Sequence, residues 1–180
     1  MKLHLGCGPR IIPGFTHVDA LNYEHVDHVS DVSDLDFLPD DAVEMIYACH
    51  VLEHFSRKEV PVVLREWNRV LAPGGLLRLS VPDLEQMLRI YEKHKDINLV
   101  LGPLVGGQKD EYDYHKIVFD RAYLSDLLTD AGFKDCRLWD WRLTEHSNVD
   151  DYSQAYVPHM QKETGDMVSL NLEAVKPTRN

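Results

Sequence analysis

The chain has 180 residues, 44% of them hydrophobic and 27% charged, with a formal net charge of -11. That length suits one domain whose core needs no disulfide or metal staple, and the composition excludes a disordered chain. No apolar run approaches the ~20 residues of a membrane span, and an acidic balance repels the phosphates of a nucleic acid, which is therefore not expected as a partner. The three cysteines, Cys7, Cys49 and Cys136, stand at unrelated spacings and form no disulfide framework. With an N-terminus that runs straight into a structural motif rather than a leader segment, they suit a reducing compartment, and the cytoplasm is the expectation.

In chain order, short β-type runs alternate with helical patterns. Lys2–Gly6 reads as a first buried strand, His17–Ala20 as a second, Val26–Ser30 as a third and Glu44–Ala48 as a fourth. Ser56-Arg-Lys-Glu59 has the form of a capping box. After it Val60, Val63, Leu64, Trp67, Val70 and Leu71 recur at helical spacing until Pro73-Gly74 stops the run. Leu76–Val81 is a fifth strand, entered through Pro73-Gly74-Gly75. Asp83-Leu-Glu-Gln86 opens a second helix with Leu84, Met87, Leu88 and Tyr91 on its apolar face. A third helix runs from about Asp120 to Ala131 through Tyr123, Leu124, Leu127 and Leu128, and Gly132 ends it. Lys134–Trp141 and Val168–Lys176 complete seven strands. This alternation predicts an α/β fold, a mostly parallel seven-stranded sheet with helices on both faces, and a single domain over residues 1–180.

In an open parallel sheet, ligands sit beyond the carboxyl ends of the strands. The loops there carry Gly6-Cys7-Gly8, Asp19, Asp31-Val32 and Cys49-His50. Glycines after the first strand let backbone approach a ligand closely. Asp19 follows Gly8 by eleven positions and ends the second strand, where a carboxylate can accept from ribose hydroxyls. A dinucleotide site wants a third glycine, a helix N-terminus for pyrophosphate and an acid roughly 20 residues on. Here Pro9-Arg-Ile-Ile-Pro-Gly14 leaves no room for that helix. A ligand lacking pyrophosphate, such as S-adenosylmethionine, does not need it. Asp31 can take the exocyclic amine of adenine, with the Val32 backbone N–H serving a ring nitrogen.

His4-Leu-Gly-Cys-Gly8, Val18-Asp19, Asp31-Val-Ser-Asp-Leu35, Ala48-Cys-His-Val-Leu-Glu-His-Phe55 and the stretch from Arg69 to Pro82 stand in an order that resembles the successive motifs of class I methyltransferases. The likeness is strongest to small "methyltransferase type 11-like" proteins; Tyr112-Asp-Tyr-His115 and Leu127-Leu-Thr-Asp-Ala-Gly-Phe133 also fit it. It covers Leu3 to about Lys176 and implies a Rossmann-like methyltransferase fold with S-adenosyl-L-methionine as cofactor. It further implies that Gly6, Cys7 and Gly8 lie against the methionine moiety, that Asp19 holds the ribose, that Asp31 and Val32 flank adenine, and that Cys49 and His50 offer backbone to the amino end. Two departures stand out: the acid common in the first motif is absent, with His4 nearby, and the first helix is reduced to a proline-bearing loop.

His50-Val-Leu-Glu-His54 also matches His-x-x-Glu-His, a helical zinc motif. It follows a strand directly and no third ligand is evident, so no metal is assigned. For the chemistry, methyl transfer to oxygen needs alignment and a base. His115 is the preferred base, in a loop begun by Gly102-Pro-Leu-Val-Gly-Gly107 that reads as a lid. Asp83, after the fifth strand, could orient that base or bind the acceptor. The connection from Arg142 to Asp166, with His146, Tyr152, Tyr156 and His159, is a candidate acceptor wall. The expected reaction is O-methylation of a sugar or polysaccharide hydroxyl, as proteins of this likeness suggest. The alternatives are another small-metabolite acceptor and a non-catalytic S-adenosylmethionine-binding subunit. With no room for a substrate domain, specificity has to come from loops or a second subunit, a homodimer being one such arrangement.

Overall fold

Five strands pair in parallel: β1 (Lys2–Leu5), β2 (Thr16–Asp19), β3 (His28–Val29), β4 (Val43–Cys49) and β5 (Leu71–Pro82). The computed structural model describes residues 1–159 and 161–178. β6 (Lys134–Leu138) and β9 (Ser169–Val175) close the sheet, β9 running antiparallel between β5 and β6. The order β3-β2-β1-β4-β5-β9-β6 is that of a Rossmann-like methyltransferase sheet, and all seven expected strands are present. A separate pair, β7 (Tyr156–Val157) and β8 (Asp166–Met167), lies in the connection that leads to β9. Among the described residues no helix is long and apolar enough to cross a membrane.

Successive side chains on a strand point to opposite faces, and here the faces differ in chemistry. Leu3, Leu5, Val18, Ile46, Ala48, Leu77 and Leu79 turn to a purely apolar layer. Helix α1 (Val60–Val70) enters it through Val60, Val63, Leu64, Trp67 and Val70, and α4 (Arg121–Asp130) through Leu124 and Leu128. Their neighbours on the other face, His4, His17, Met45 and Tyr47, meet Ile12, Phe15, Trp139 and His146. Loops roof this face over β1, β2 and β4, because residues 9–15 hold the prolines that deny a helix after β1. Helices α2 (Leu84–His94) and α3 (Asn98–Val105) pack together through Met87, Ile90 and Val100 against Val168.

Several local expectations are corrected. The Ser56 capping box is half formed: the Ser56 N–H donates to Glu59 Oε2 at 2.7 Å, while the Ser56 carbonyl takes the N–H groups of Glu59 and Val60. Pro73-Gly74-Gly75 does not stop α1. The helix passes directly into β5 at Leu71, and the Pro-Gly-Gly run shifts the β4–β5 register between Val43/Leu71 and Met45/Leu76. The apolar face of α2 is Met87 and Ile90, with Leu88 and Tyr91 exposed. Its partner is α3, a helix where the sequence reads as a loop; Gly102 and Pro103 lie inside it.

His4 sits in the polar-aromatic layer at 2% exposure, and its Nδ1 has no hydrogen-bond partner among the described residues. Burial, reinforced by His17 and His146, pushes its pKa down to about 3. The unfolded chain therefore binds a proton there that the folded chain refuses. The stability tied to His4 is intact above the unfolded value near 6.5 and is lost as pH falls from there towards 3, by at most about 1.4 kcal/mol per pH unit. Urea denaturation at pH 7 and pH 5 is expected to show this loss, and His4→Leu to flatten it. The N-cap of α2 is Asp83, whose Oδ1 accepts from the N–H groups of Glu85 and Gln86 at 3.0 and 3.4 Å. Asp83→Ala is expected to cost about 1 kcal/mol in the same assay and Asp83→Asn almost nothing, since Asn caps as well as Asp.

Candidate active site

Register assembles the first half of the site. Leu5 stands opposite Val18 on one side and Ala48 on the other, so the next residues along, Gly6, Asp19 and Cys49, end their strands side by side. Gly6 has φ +60°, and a Cβ there would lie 2.5 Å from Cγ2 of Val51; the loops after β1 and β4 interlock at a point where only glycine fits. Gly8, at φ +54°, donates its N–H to Asp19 Oδ2 at 2.8 Å, and the Leu21 N–H meets Oδ1 at 2.8 Å. Asp19 is thus held at 8% exposure by backbone alone, each oxygen retaining a lone pair. Where a Gly8 Cβ would sit, the nearest atom is Arg10 Nη1 at 3.9 Å, so the turn leaves a cradle.

The Asp19 carbonyl accepts the Ser30 N–H at 2.9 Å, which brings the ends of β2 and β3 together just before Asp31. Asp31 is exposed, and its Oδ1 accepts from the backbone and hydroxyl of Ser33 at 2.8 and 2.7 Å. Val32 is buried, its carbonyl taking the indole N–H of Trp67 at 2.8 Å, so α1 pins this loop. The Cys7 thiol is buried, 3.7 Å from His25, and burial with the charge of Asp19 pushes its pKa up to about 12. Burial likewise pushes the Cys49 thiol far above its ordinary value. Both are inert thiols. His50 follows at φ +54°, an uncommon backbone state for a residue with a side chain, and its N–H bonds the Ser80 carbonyl at 2.8 Å.

The second half is a histidine cluster around Glu53. The His50–His54 segment is not a helix with two histidines one turn apart, as a zinc-protease motif requires; it is a single 3-10 turn, Leu52–His54. Glu53 is fully buried. His50 Nδ1 stands 3.1 Å and His115 Nε2 3.9 Å from its Oε1. Burial alone raises the Glu53 carboxyl, but the imidazoles of His50, His54 and His115 outweigh it and hold it below its ordinary value. Burial lowers the pKa of His115, partly offset by Glu53.

The position of His115 is set by the end of α3. The last carbonyls of a helix have no partner within it; His115 satisfies two of them, through Nδ1 to the Pro103 carbonyl at 2.8 Å and through its N–H to that of Val105 at 3.2 Å. The intervening loop folds back tightly: a Cβ on Gly106 would lie 2.1 Å from the Asp113 carbonyl oxygen, and one on Gly107 2.5 Å from Asp113 Oδ2. These glycines serve close packing.

A cavity of about 670 Å³ opens beside the cluster, with His50, His54, His115, Arg10, Tyr152 and Tyr156 among its lining residues. His159 joins it from the long connection after β6, whereas His146 does not, being buried against Tyr47 and Phe15. Asp83 is not among the lining residues, nor are Asp19 and Asp31. Sequence reasoning missed Glu53, Arg10 and Asp151. The last accepts from the Tyr47 hydroxyl at 2.6 Å, and Arg10 stacks over Tyr152 at 4.8 Å. Only Glu53 carried a signal, its place between two histidines in His50–His54.

Residues 3–79 match the methyltransferase domain family. The ubiquinone/menaquinone biosynthesis C-methyltransferase UbiE of Shewanella oneidensis is 30% identical over 104 residues, 53% of this chain and 41% of its own length, so the chain spans about two-fifths of such relatives. Among solved structures, a SAM-dependent methyltransferase from Thermotoga maritima, described as a possible histamine N-methyltransferase, superposes with TM-score 0.62 at 17% identity, covering 97% of this chain and 81% of that one. The 1,6-didemethyltoxoflavin-N1-methyltransferase of Burkholderia thailandensis, solved with S-adenosylhomocysteine, gives 0.57 at 16% identity, covering 98% and 70%. The chain has the class I methyltransferase fold, and the match to the methyltransferase domain family is confined to residues 3–79.

Gly106→Ala is expected to lower stability by about 2 kcal/mol or more, because the added methyl meets backbone and the positive φ of +81° becomes strained. Urea denaturation measures this, and histidine side-chain NMR is expected to report a displaced His115.

Proposed function

We propose that this chain is an S-adenosylmethionine-dependent methyltransferase acting on a hydroxyl, preferentially of a sugar or polysaccharide. The observation that carries the reading is the set of strand ends in register: the Gly6-Cys7-Gly8 turn, Asp19 and the β4 end at Cys49-His50. The open cradle at Gly8 and the absence of a helix in residues 9–15 suit a nucleoside ligand without pyrophosphate. In this reading Asp19 accepts the ribose hydroxyls, Asp31 and Val32 flank the adenine, and the backbone of Cys49 and His50 meets the amino end.

The bound cofactor supplies an electrophilic methyl carbon on a sulfonium centre. The chain's task is to align the acceptor oxygen behind that carbon and take its proton. His115 suits the second role. Its Nδ1 faces a carbonyl, which can only accept, so the proton sits on Nδ1 and Nε2 keeps its lone pair. With the acceptor so aligned, the hydroxyl proton would pass to His115 Nε2, and the buried Glu53 would stabilise the imidazolium. Tyr152, Tyr156 and Arg10 give the cavity polar groups and rings suited to a hydroxylated acceptor. Asp83 has no role here beyond capping α2.

A carbon acceptor is the second reading, favoured by the curated relatives' designation as C-methyltransferases. Transfer of a ¹³C-labelled methyl group separates the two, because O-methyl and C-methyl products differ in carbon chemical shift. For the cofactor half, calorimetry is expected to show micromolar binding of S-adenosylhomocysteine, weakened about 10-fold or more in Asp19→Ala, as loss of a charge-assisted hydrogen bond implies. His115→Asn is expected to keep that binding and lower turnover by roughly 10²–10⁴. Wild-type protein that binds neither S-adenosylmethionine nor its product overturns the reading.

A further inference from the structure

Three imidazoles lie beside Glu53, and each has one ring nitrogen tied to a group that fixes its tautomer. His115 Nδ1 is 2.8 Å from the Pro103 carbonyl, and His54 Nδ1 is 3.2 Å from that of Tyr114. Carbonyls only accept, so both of these nitrogens carry the proton. His50 Nε2 lies 2.9 Å from Ser169 Oγ, whose own hydrogen is directed at the Tyr152 carbonyl, so His50 donates there as well. In their neutral forms the three rings therefore keep their lone pairs on the remaining nitrogens. Two of those nitrogens stand 3.1 and 3.9 Å from the Glu53 carboxylate.

Lone pairs gathered around a buried anion repel one another unless a proton or a metal ion sits among them. Glu53 is fully buried, and among the described residues neither of its oxygens accepts a properly aligned hydrogen bond; His50 is near enough but poorly directed. A buried charge without donors is costly. Histidines whose far N–H is anchored on backbone carbonyls, with the near nitrogen free, are arranged as metal-binding histidines are.

We propose that Glu53, His54 and His115 form a site for one divalent first-row transition-metal ion, zinc being the reference case. One ligand atom from each lies within 4.8 Å of the others, close enough for an ion to draw them together. One carboxylate and two imidazoles are a donor set for Zn²⁺, Co²⁺ or Fe²⁺ rather than for Mg²⁺ or Ca²⁺. His54 and His115 line the cavity, so the remaining coordination positions open towards it. His50, whose Nδ1 is 3.1 Å from Glu53 Oε1, stays outside the set. This is not the His-x-x-Glu-His arrangement of the sequence, because the first histidine is excluded and the glutamate is itself a ligand. The inference stands on side-chain geometry and not on the methyl-transfer reading. If both hold, the ion takes up the lone pair that would receive the acceptor's proton, and zinc inhibits turnover.

The test uses the untagged full chain after EDTA treatment and dialysis. Calorimetric titration with Zn²⁺ is expected to give one ion per chain at micromolar affinity or tighter, and Co²⁺ to give a visible d–d spectrum. His54→Ala and His115→Ala are each expected to weaken binding beyond the roughly 10–100-fold that loss of an outer partner costs. His94→Ala, at an exposed helix end, serves as the unchanged control. Far-UV circular dichroism confirms that each variant is folded. The absence of stoichiometric binding overturns the proposal, as does binding that survives both substitutions. Cofactor binding in the same preparations, tested through Asp19, reports separately on the methyl-transfer reading.

Discussion

The parallel ladder that β1 shares with β2 and β4 governs the rest of this molecule. Because Leu5 is level with both Val18 and Ala48, the three chains leave the sheet at the same height. A slip of one residue would turn each strand's apolar side chains onto the wrong face, so the register is held by the whole core. Leu3, Leu5, Val18, Ile46 and Ala48 are all essentially inaccessible to solvent and share one core cluster with residues of α1 and α4. Burial thus fixes where the glycine turn, Asp19 and His50 come together, and Gly6 beneath Val51 locks two of those loops to each other.

The opposite face of the sheet carries different chemistry. Where a helix would commonly cover β1, the loop of residues 9–15 lies over a layer that includes His4, His17, Tyr47 and His146. Loops offer fewer apolar contacts than a helix, and rings with polar edges fill the space. The Ile12 N–H bonds His17 Nε2 at 3.0 Å, and the Trp139 indole bonds the Leu79 carbonyl at 2.9 Å. This layer supports the segment that brings Asp151 and Tyr152 to the cavity, through the bond from Tyr47 to Asp151.

Much of this was legible beforehand, for reasons that can be named. Strands such as Glu44–Ala48 and Leu76–Val81 announce themselves because a strand buried on both faces is apolar at most positions. Asp83 and Asp120 mark helix starts because a side-chain acceptor there has a defined job, and both do it. Asn98–Val105 stayed hidden because Gly102 and Pro103 oppose helix locally, and packing against α2 overrides them. The same blindness misassigned Leu88 and Tyr91, since the face that α2 buries depends on a partner not recognised as a helix. His115 could be singled out by its residue type, but its tautomer depends on a carbonyl twelve residues away.

The sequence by itself determined the alternation of strand and helix, the parallel sheet and the glycine–aspartate signature at the strand ends. These are written in local periodicity and in short-range spacing, which the chain carries whether folded or not. Only the tertiary structure decided that Glu53, His54 and His115 meet, and that His50 Nδ1 comes within 3.1 Å of the carboxylate. That meeting joins the turn after β4 to the loop after α3, some sixty residues apart in the chain. Contacts at such separation arise from how whole elements pack, and no pattern within a short window of residues encodes them.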